Sequence, residues 1–224
     1  MTKNYYKFIK ELRTKKGLSQ IEVAKKIGIS RSSYISFEQG KAELSLSEAV
    51  KLSDMFGITL EEMKTGQEPN YSKYKQMILA FLRNGGVIQK TKLAKLLYFA
   101  DFAWFYYHLQ SMSGMQYRRM QYGPVSDTYF SIIDEMFDKG EINIAQTKDG
   151  AMLISQTRSG AMIDLSEMNK KEEELIKNIE KKWKDKKTNE IVDFTHKQFP
   201  YLYAQDNEIV SYGLFTQEDP DDIY

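Results

Sequence analysis

The sequence predicts a mainly α chain in two parts. Five short helices are expected over residues 1–66; after a linker at 67–70, residues 71–224 should form a mostly helical domain with a small β-hairpin and an acidic tail. Three observations carry this expectation. A Ser or Thr followed three residues later by Glu recurs at Ser19/Glu22, Ser45/Glu48 and Thr59/Glu62, the pairing that closes a helix start on itself. Apolar residues recur at helical spacing through most of the chain. That periodicity stops in the polar stretch from Thr65 to Asn70, which contains Gly66 and Pro69.

The elements of the first part follow in order. Tyr5, Phe8, Ile9 and Leu12 mark a helix over residues 4–16. Ser19 and Glu22 open a second helix, in which Ala24 is small enough for a close helix crossing. Gly28 supplies the turn, where a positive φ costs little only for glycine. Ser30 caps a third helix that Gly40 ends. Tyr34 and Phe37 lie one turn apart and face inward, which leaves Arg31, Ser32 and Ser36 on the outer face. Residues 18–40 therefore read as a helix-turn-helix, whose second helix meets base edges in the major groove. Ser45 and Glu48 open a fourth helix closed by Gly57, and Thr59 and Glu62 open a fifth.

Charge agrees with that reading. Residues 1–41 hold ten Lys or Arg against three Glu, a local net charge of +7 in a chain whose total is +1. A basic surface is what phosphate binding needs. Residues 206–224 hold six acids and no base. Hydrophobic residues at 42% and aromatics at 13% suffice for a core in each part. No apolar run approaches the roughly 18 residues that span a bilayer, and the first residues lack the apolar stretch of a signal peptide. With no cysteine, disulfides and thiolate metal sites are excluded, and the expectation is a cytoplasmic protein.

In the second part, Tyr74, Met77, Ile78, Phe81 and Leu82 mark an amphipathic helix that stops at Asn84-Gly85-Gly86. Thr91 is the expected cap of a helix reaching about Leu109. It carries two apolar stripes, one through Leu93, Leu97, Ala100, Trp104 and Tyr107 and one through Tyr98, Phe102, Phe105 and Leu109. A helix apolar on most sides is buried centrally or gives one side to a partner. Gly123-Pro124 breaks the chain, and Ser126 is expected to cap a helix to about Lys139. Residues 141–145 and 152–156 read as strands around the turn signal Lys148-Asp149-Gly150. Asn169 and Glu172 open a charged helix to about 186; residues 189–199 form the last helix, stopped by Pro200, and the rest reads as short strands or coil.

The helix-turn-helix segment resembles the lambda-repressor and Cro-like (XRE) family from about Tyr5 to Gly66, including the Ser30-Arg31-Ser32 start and the Phe37-Glu38-Gln39-Gly40-Lys41 end of the second helix. The resemblance implies operator DNA as a partner and a homodimer as the binding form. The expected DNA-contacting residues are Gln20, Ser30, Arg31, Ser32, Ser33, Ile35, Ser36, Gln39 and Lys41. Gln20, Arg31, Ser32 and Ser36 would read bases, while Gln39 and Lys41 would hold phosphates. Ile35 stands where this family usually has a polar residue; it either meets a thymine methyl or is a tolerated exposed apolar residue.

Three pieces of the second part resemble the Panacea antitoxin domain over about Tyr71 to Phe215: Thr91 to Asp101 (Thr-Lys-Leu-Ala-Lys-Leu-Leu-Tyr-Phe-Ala-Asp), Tyr122-Gly-Pro-Val-Ser126 followed by Tyr129, and Phe194-Thr-His-Lys197. Ser113-Gly114-Met115 departs from the family's Gly-x-Pro-type stretch. Leu97, Tyr98, Phe99, Tyr122, Gly123, Pro124 and His196 are the structural residues of the pattern. The resemblance implies an antitoxin that neutralises a neighbouring toxin by direct contact and, with its helix-turn-helix, represses its own operon. Trp104, Tyr107 and Tyr117 are the expected toxin contacts, because exposed aromatics anchor interfaces.

No converging catalytic set is visible. The two histidines, His108 and His196, have no partner motif, and no phosphate-cradling glycine loop appears. The reading is a non-enzyme without cofactor or metal. The alternatives are a phage or mobile-element regulator with a sensing or dimerising second domain, and an adaptor that delivers a protein to a protease.

Overall fold

The computed structural model describes residues 4–224 except 57, 59, 61, 62 and 64–67. Gly57, expected to close the fourth helix, Thr59 and Glu62, expected to open the fifth, and residues 64–67, up to the first residue of the expected linker, lie outside the described residues. The chain divides into two compact units, Met1–Glu68 and Pro69–Tyr224.

The first unit has helices α1 (Asn4–Lys15), α2 (Gln20–Ile27), α3 (Arg31–Glu38) and α4 (Leu46–Phe56). Ser19 and Glu22 form the reciprocal capping box at α2. Gly28 ends α2 at φ +84°, and the Ser30 hydroxyl accepts from Ser33 N to start α3. Ile9, Leu12, Val23, Ala24, Ile27, Tyr34, Phe37 and Leu52 fill the core between them.

The second unit is built around one central helix. Its elements are α5 (Tyr71–Gly85), β1 (Ile88–Gln89), α6 (Lys90–His108), β2 (Tyr117–Arg118), β3 (Val125–Ser126), α7 (Tyr129–Asp138), β4 (Ile142–Gln146), β5 (Met152–Gln156), α8 (Arg158–Ala161), α9 (Lys170–Trp183), α10 (Thr188–Thr195), α11 (Phe199–Tyr203) and α12 (Tyr212–Phe215), then a 3-10 turn at Pro220–Asp222. Every residue of α6 from Leu93 to Ala103 is buried, with α5, α9, α10 and α12 against it. Two stripes on one helix thus mean a helix surrounded by its own domain. The expected hairpin pairs β4 with β5 antiparallel, and β1 adds a third strand on the other edge of β5. β2 and β3 pair separately, Tyr117 opposite Ser126.

Four expectations are corrected. Thr91 does not cap α6: the helix starts one residue earlier at Lys90, and the Gln89 side chain accepts from Thr188 Oγ1 instead of capping. Ser126 caps nothing; it is a buried strand residue, and α7 begins at Tyr129. Pro200 starts α11 rather than stopping a helix, since the fixed φ and missing N–H of proline suit a first turn. The acidic tail is neither strand nor loose coil. Tyr212, Phe215 and Ile223 are core residues, Gln198 Nε2 donates to the carbonyls of Asp222 and Ile223, and the Glu218 carboxylate accepts from Phe199 N.

Candidate nucleic-acid interface and partner-binding domain

On the first unit, the end of α3 is fixed by a buried carboxylate. Arg13 donates to Glu38 from Nε at 2.6 Å and Nη2 at 3.3 Å, and Gln20 Nε2 donates to the same carboxylate at 2.9 Å. Burial alone would raise the Glu38 pKa, but these hydrogen bonds outweigh it and hold the carboxyl below its ordinary value. Gln20, expected to read a base, is therefore half-buried and spent on Glu38. Ser30 is spent on the cap, with the Ser32 and Ser33 hydroxyls each 2.8 Å from its own.

What remains free is narrower than the expected set. Arg31, Gln39 and Lys41 are exposed; Ser32 and Ser33 are exposed too, with their hydroxyls on Ser30; Ile35 and Ser36 are half-buried. An open hollow of about 480 Å3 lies between the starts of α2 and α3, lined by Arg13, Ser19, Gln20, Ile21 and Arg31. Ile21, 60% exposed, was missed from the sequence. Its signal was an apolar residue directly after a capped, otherwise polar helix start.

In the second unit the three motif pieces meet around Lys95. Its side chain is 0% exposed. Nζ donates to the Pro124 carbonyl at 2.8 Å. Gly123 sits at φ +85°, and a Cβ there would lie 2.4 Å from Thr195 Oγ1 and 3.0 Å from Lys95 Cε. Any side chain at 123 would thus collide with both of the other pieces. Burial without a counter-charge brings the Lys95 pKa down to about 7. His196 caps the end of α10 and stacks on Tyr201 with centroids 4.3 Å apart; burial, then the Lys95 charge, lower its pKa. Leu97, Tyr98 and Phe99 are core residues, with Tyr98 against Phe102 at 4.3 Å and Phe99 stacked on Trp183 at 5.5 Å.

Asp101 is the second buried charge. It accepts from Ser113 N at 2.6 Å, Ser113 Oγ at 2.5 Å and Tyr117 OH at 2.7 Å. Burial raises its pKa to about 6 against the pull of those bonds. Ser113-Gly114-Met115, which departs from the family pattern, is thus the loop that wraps this carboxylate. Tyr117 is correspondingly 0% exposed; the expectation that it faces a partner is wrong, because its hydroxyl is needed inside. Trp104 is half-buried and stacked on His108 at 3.8 Å, and Tyr107 is 57% exposed. Lys95 and Asp101 both lie within the first motif piece and are not among the residues the sequence pattern assigns a role. A charge flanked on both sides by core-type residues was the available signal.

The model of the helix-turn-helix family matches residues 9–63, and that of the antitoxin SocA-like, Panacea domain matches residues 93–200. The chain belongs to the XRE-type helix-turn-helix regulators and carries a Panacea domain. It is 32% identical over 62 residues, 28% of its length, to the cryptic phage CTXphi transcriptional repressor RstR of Vibrio cholerae, and spans 56% of that protein. It is 30% identical over 97 residues, 41% of its length, to the SPbeta prophage-derived uncharacterized HTH-type transcriptional regulator YonR of Bacillus subtilis, spanning 87% of it. It is 38% identical over 61 residues, 27% of its length, to an uncharacterized HTH-type transcriptional regulator of Methanocaldococcus jannaschii, spanning 88% of it. No solved structure matches the chain. Among the described residues, no helix is long and apolar enough to cross a membrane, and no group of His, Cys, Asp and Glu could hold a metal ion.

Proposed function

We propose that this protein is an autoregulating antitoxin. As a homodimer it represses its own operon through α3, and through its Panacea domain it binds and silences a toxin encoded beside it. The observation that carries the reading is the pairing of an XRE-type helix-turn-helix with a Panacea domain in one chain. Exposed Arg31, Ser32, Gln39 and Lys41 supply a base-reading and phosphate-holding face. Operator half-sites should lie about one helical turn, roughly 10 base pairs, apart. On the second unit, Trp104 and Tyr107 remain the aromatic contacts of the expected set.

Co-expression with the neighbouring reading frame, driven from an unrelated promoter, tests both halves. The full chain should rescue growth, and Arg31→Ala should rescue equally while losing repression of the native promoter. Rescue lost with Arg31→Ala would favour a second reading, a plain phage or mobile-element regulator. That reading is supported by the phage and prophage origin of two relatives.

A further inference from the structure

The Lys95 corner opens on a pocket of about 430 Å3 that none of the motif roles uses. Three features converge there. Lys95 stands on its floor, fully buried, and of its three N–H donors the Pro124 carbonyl takes one; no acid answers its charge among the described residues. The start of α6 lines the same floor through Gln89, Thr91 and Ala94. No side chain caps that helix, because Gln89 is turned to Thr188, so the positive end of a 19-residue helix carries no side-chain acceptor. The rim is aromatic and accessible: Tyr122 is 61% and Phe130 51% exposed, and Lys90 lies 5.2 Å over the Phe130 ring.

A buried ammonium without an anion is expensive to keep. Its pocket is therefore shaped for a negative group. One ammonium and an uncapped helix start, walled by Val125, Ala94 and Met152, suit a singly charged carboxylate attached to an apolar body. Phosphate recognition calls for more donors, commonly an Arg fork. We propose that this pocket holds a carboxylate of the partner protein, an Asp or Glu side chain or the chain end, with Lys95 as its counter-ion and Tyr122 and Phe130 gripping the apolar residue beside it. The source of the carboxylate rests on the toxin-binding reading; the chemistry of the pocket does not.

The groups around Lys95 that titrate or carry charge are His196 at the end of α10, with Arg119 and Asp193 acting on it, and Lys90 on the same helix. The test uses the full chain with ε-13C-labelled lysine and two probes of one shape, phenylacetate and phenylacetamide. Phenylacetate should move the Lys95 titration to a pH about one to three higher, as an adjacent opposite charge does. Phenylacetamide and inorganic phosphate should leave it in place. Lys95→Met and Phe130→Ala, each checked for an unchanged fold by circular dichroism, should lose phenylacetate binding about tenfold or more. Equal response to acid and amide, or undiminished binding by Lys95→Met, overturns the pocket's chemistry. The second arm is pull-down of the adjacent toxin. If the wild type captures it and Lys95→Met does so equally, the carboxylate comes from a small molecule and the partner assignment falls. If the wild type itself captures no toxin, the antitoxin reading fails, and with it the partner source, while the probe arm still decides the pocket's chemistry.

Discussion

In the first unit a buried carboxylate, Glu38, meets two donors of Arg13 and one of Gln20. In the second a buried ammonium, Lys95, meets one carbonyl, and a buried carboxylate, Asp101, meets neutral donors only. Both units thus place charge where water cannot reach, and they differ in whether the charge is answered. The Glu38 cluster is complete and needs no role beyond fixing α1 against α3. The Lys95 corner is incomplete, and incomplete burial of charge is where binding function is to be sought.

The sharpest way to break this contrast is to make the first unit resemble the second. Arg13→Met leaves Glu38 buried without its cation, and the first unit should lose about 3–5 kcal/mol of stability. Both tryptophans, Trp104 and Trp183, lie in the second unit. Urea unfolding followed by tryptophan fluorescence should therefore be unchanged while part of the helical circular-dichroism signal melts early. A loss under about 1 kcal/mol would put the pair among ordinary surface bridges and remove the contrast.

The reverse experiment is Lys95→Met, which replaces an unanswered charge by an apolar group of similar length. It should stabilise the second unit by roughly 1–4 kcal/mol. The pH profile gives the sign independently. The Lys95 pKa is lowered from 10.5 to about 7, so between those values the unfolded chain binds more protons, and stability rises with pH across that window. Lys95→Met should flatten this rise. Asp101 acts oppositely. Its pKa is raised from 3.8 to about 6, the native state holds the extra proton, and stability falls as pH climbs through that interval. Glu38, held below its ordinary value, makes the first unit lose stability as pH falls through its native pKa. Two units with opposite acid responses should draw their melting transitions apart or together as pH falls from about 7 to about 4, the first unit losing stability relative to the second.

Much of this was legible in the sequence, and the reason is local chemistry. The α2 capping box, the Gly28 turn, the Ser30 cap and the hairpin at Gly150 are each decided within a few residues. What was not legible depends on long-range partners. Gln20 looked like a base reader because nothing nearby in sequence announces that Glu38 claims it. Tyr117 looked like an exposed anchor because its partner Asp101 is 16 residues away. Thr91 and Ser126 looked like caps, but strand pairing of Gln89 with Leu153 and of Ser126 with Tyr117 decides those positions. The Lys95 pocket needed all three motif pieces in space before the charge could be seen to lack an answer.

A smaller effect separates the residues the first unit leaves free from those it uses. Arg31 and Lys41 are exposed, and the proposed roles differ. Arg31→Ala should cost about 1–3 kcal/mol of operator affinity and relax specificity at one base step. Lys41→Ala should weaken operator and random DNA alike and reduce the salt slope by about one. Band-shift titrations over a salt series read both. Identical behaviour of the two variants would mean that α3 meets phosphates alone.

The smallest predicted effect tests a cap against a contact. Ser30 was expected to touch DNA, yet its hydroxyl accepts from Ser33 N at 3.0 Å and closes the start of α3, where the start of α6 has no such closure. A capping serine contributes typically about 1 kcal/mol, and alanine cannot replace it. Ser30→Ala should accordingly lower the melting temperature of the first unit. Measured well below that temperature, operator affinity should be unchanged, because the helix is still formed and Arg31 still points outward. Threonine at the same position should restore most of the stability, since its hydroxyl also caps. A fall in affinity of about tenfold or more with an intact fold, equivalent to about 1.4 kcal/mol, would return Ser30 to the DNA-contacting set and show that one hydroxyl serves both the helix start and the operator.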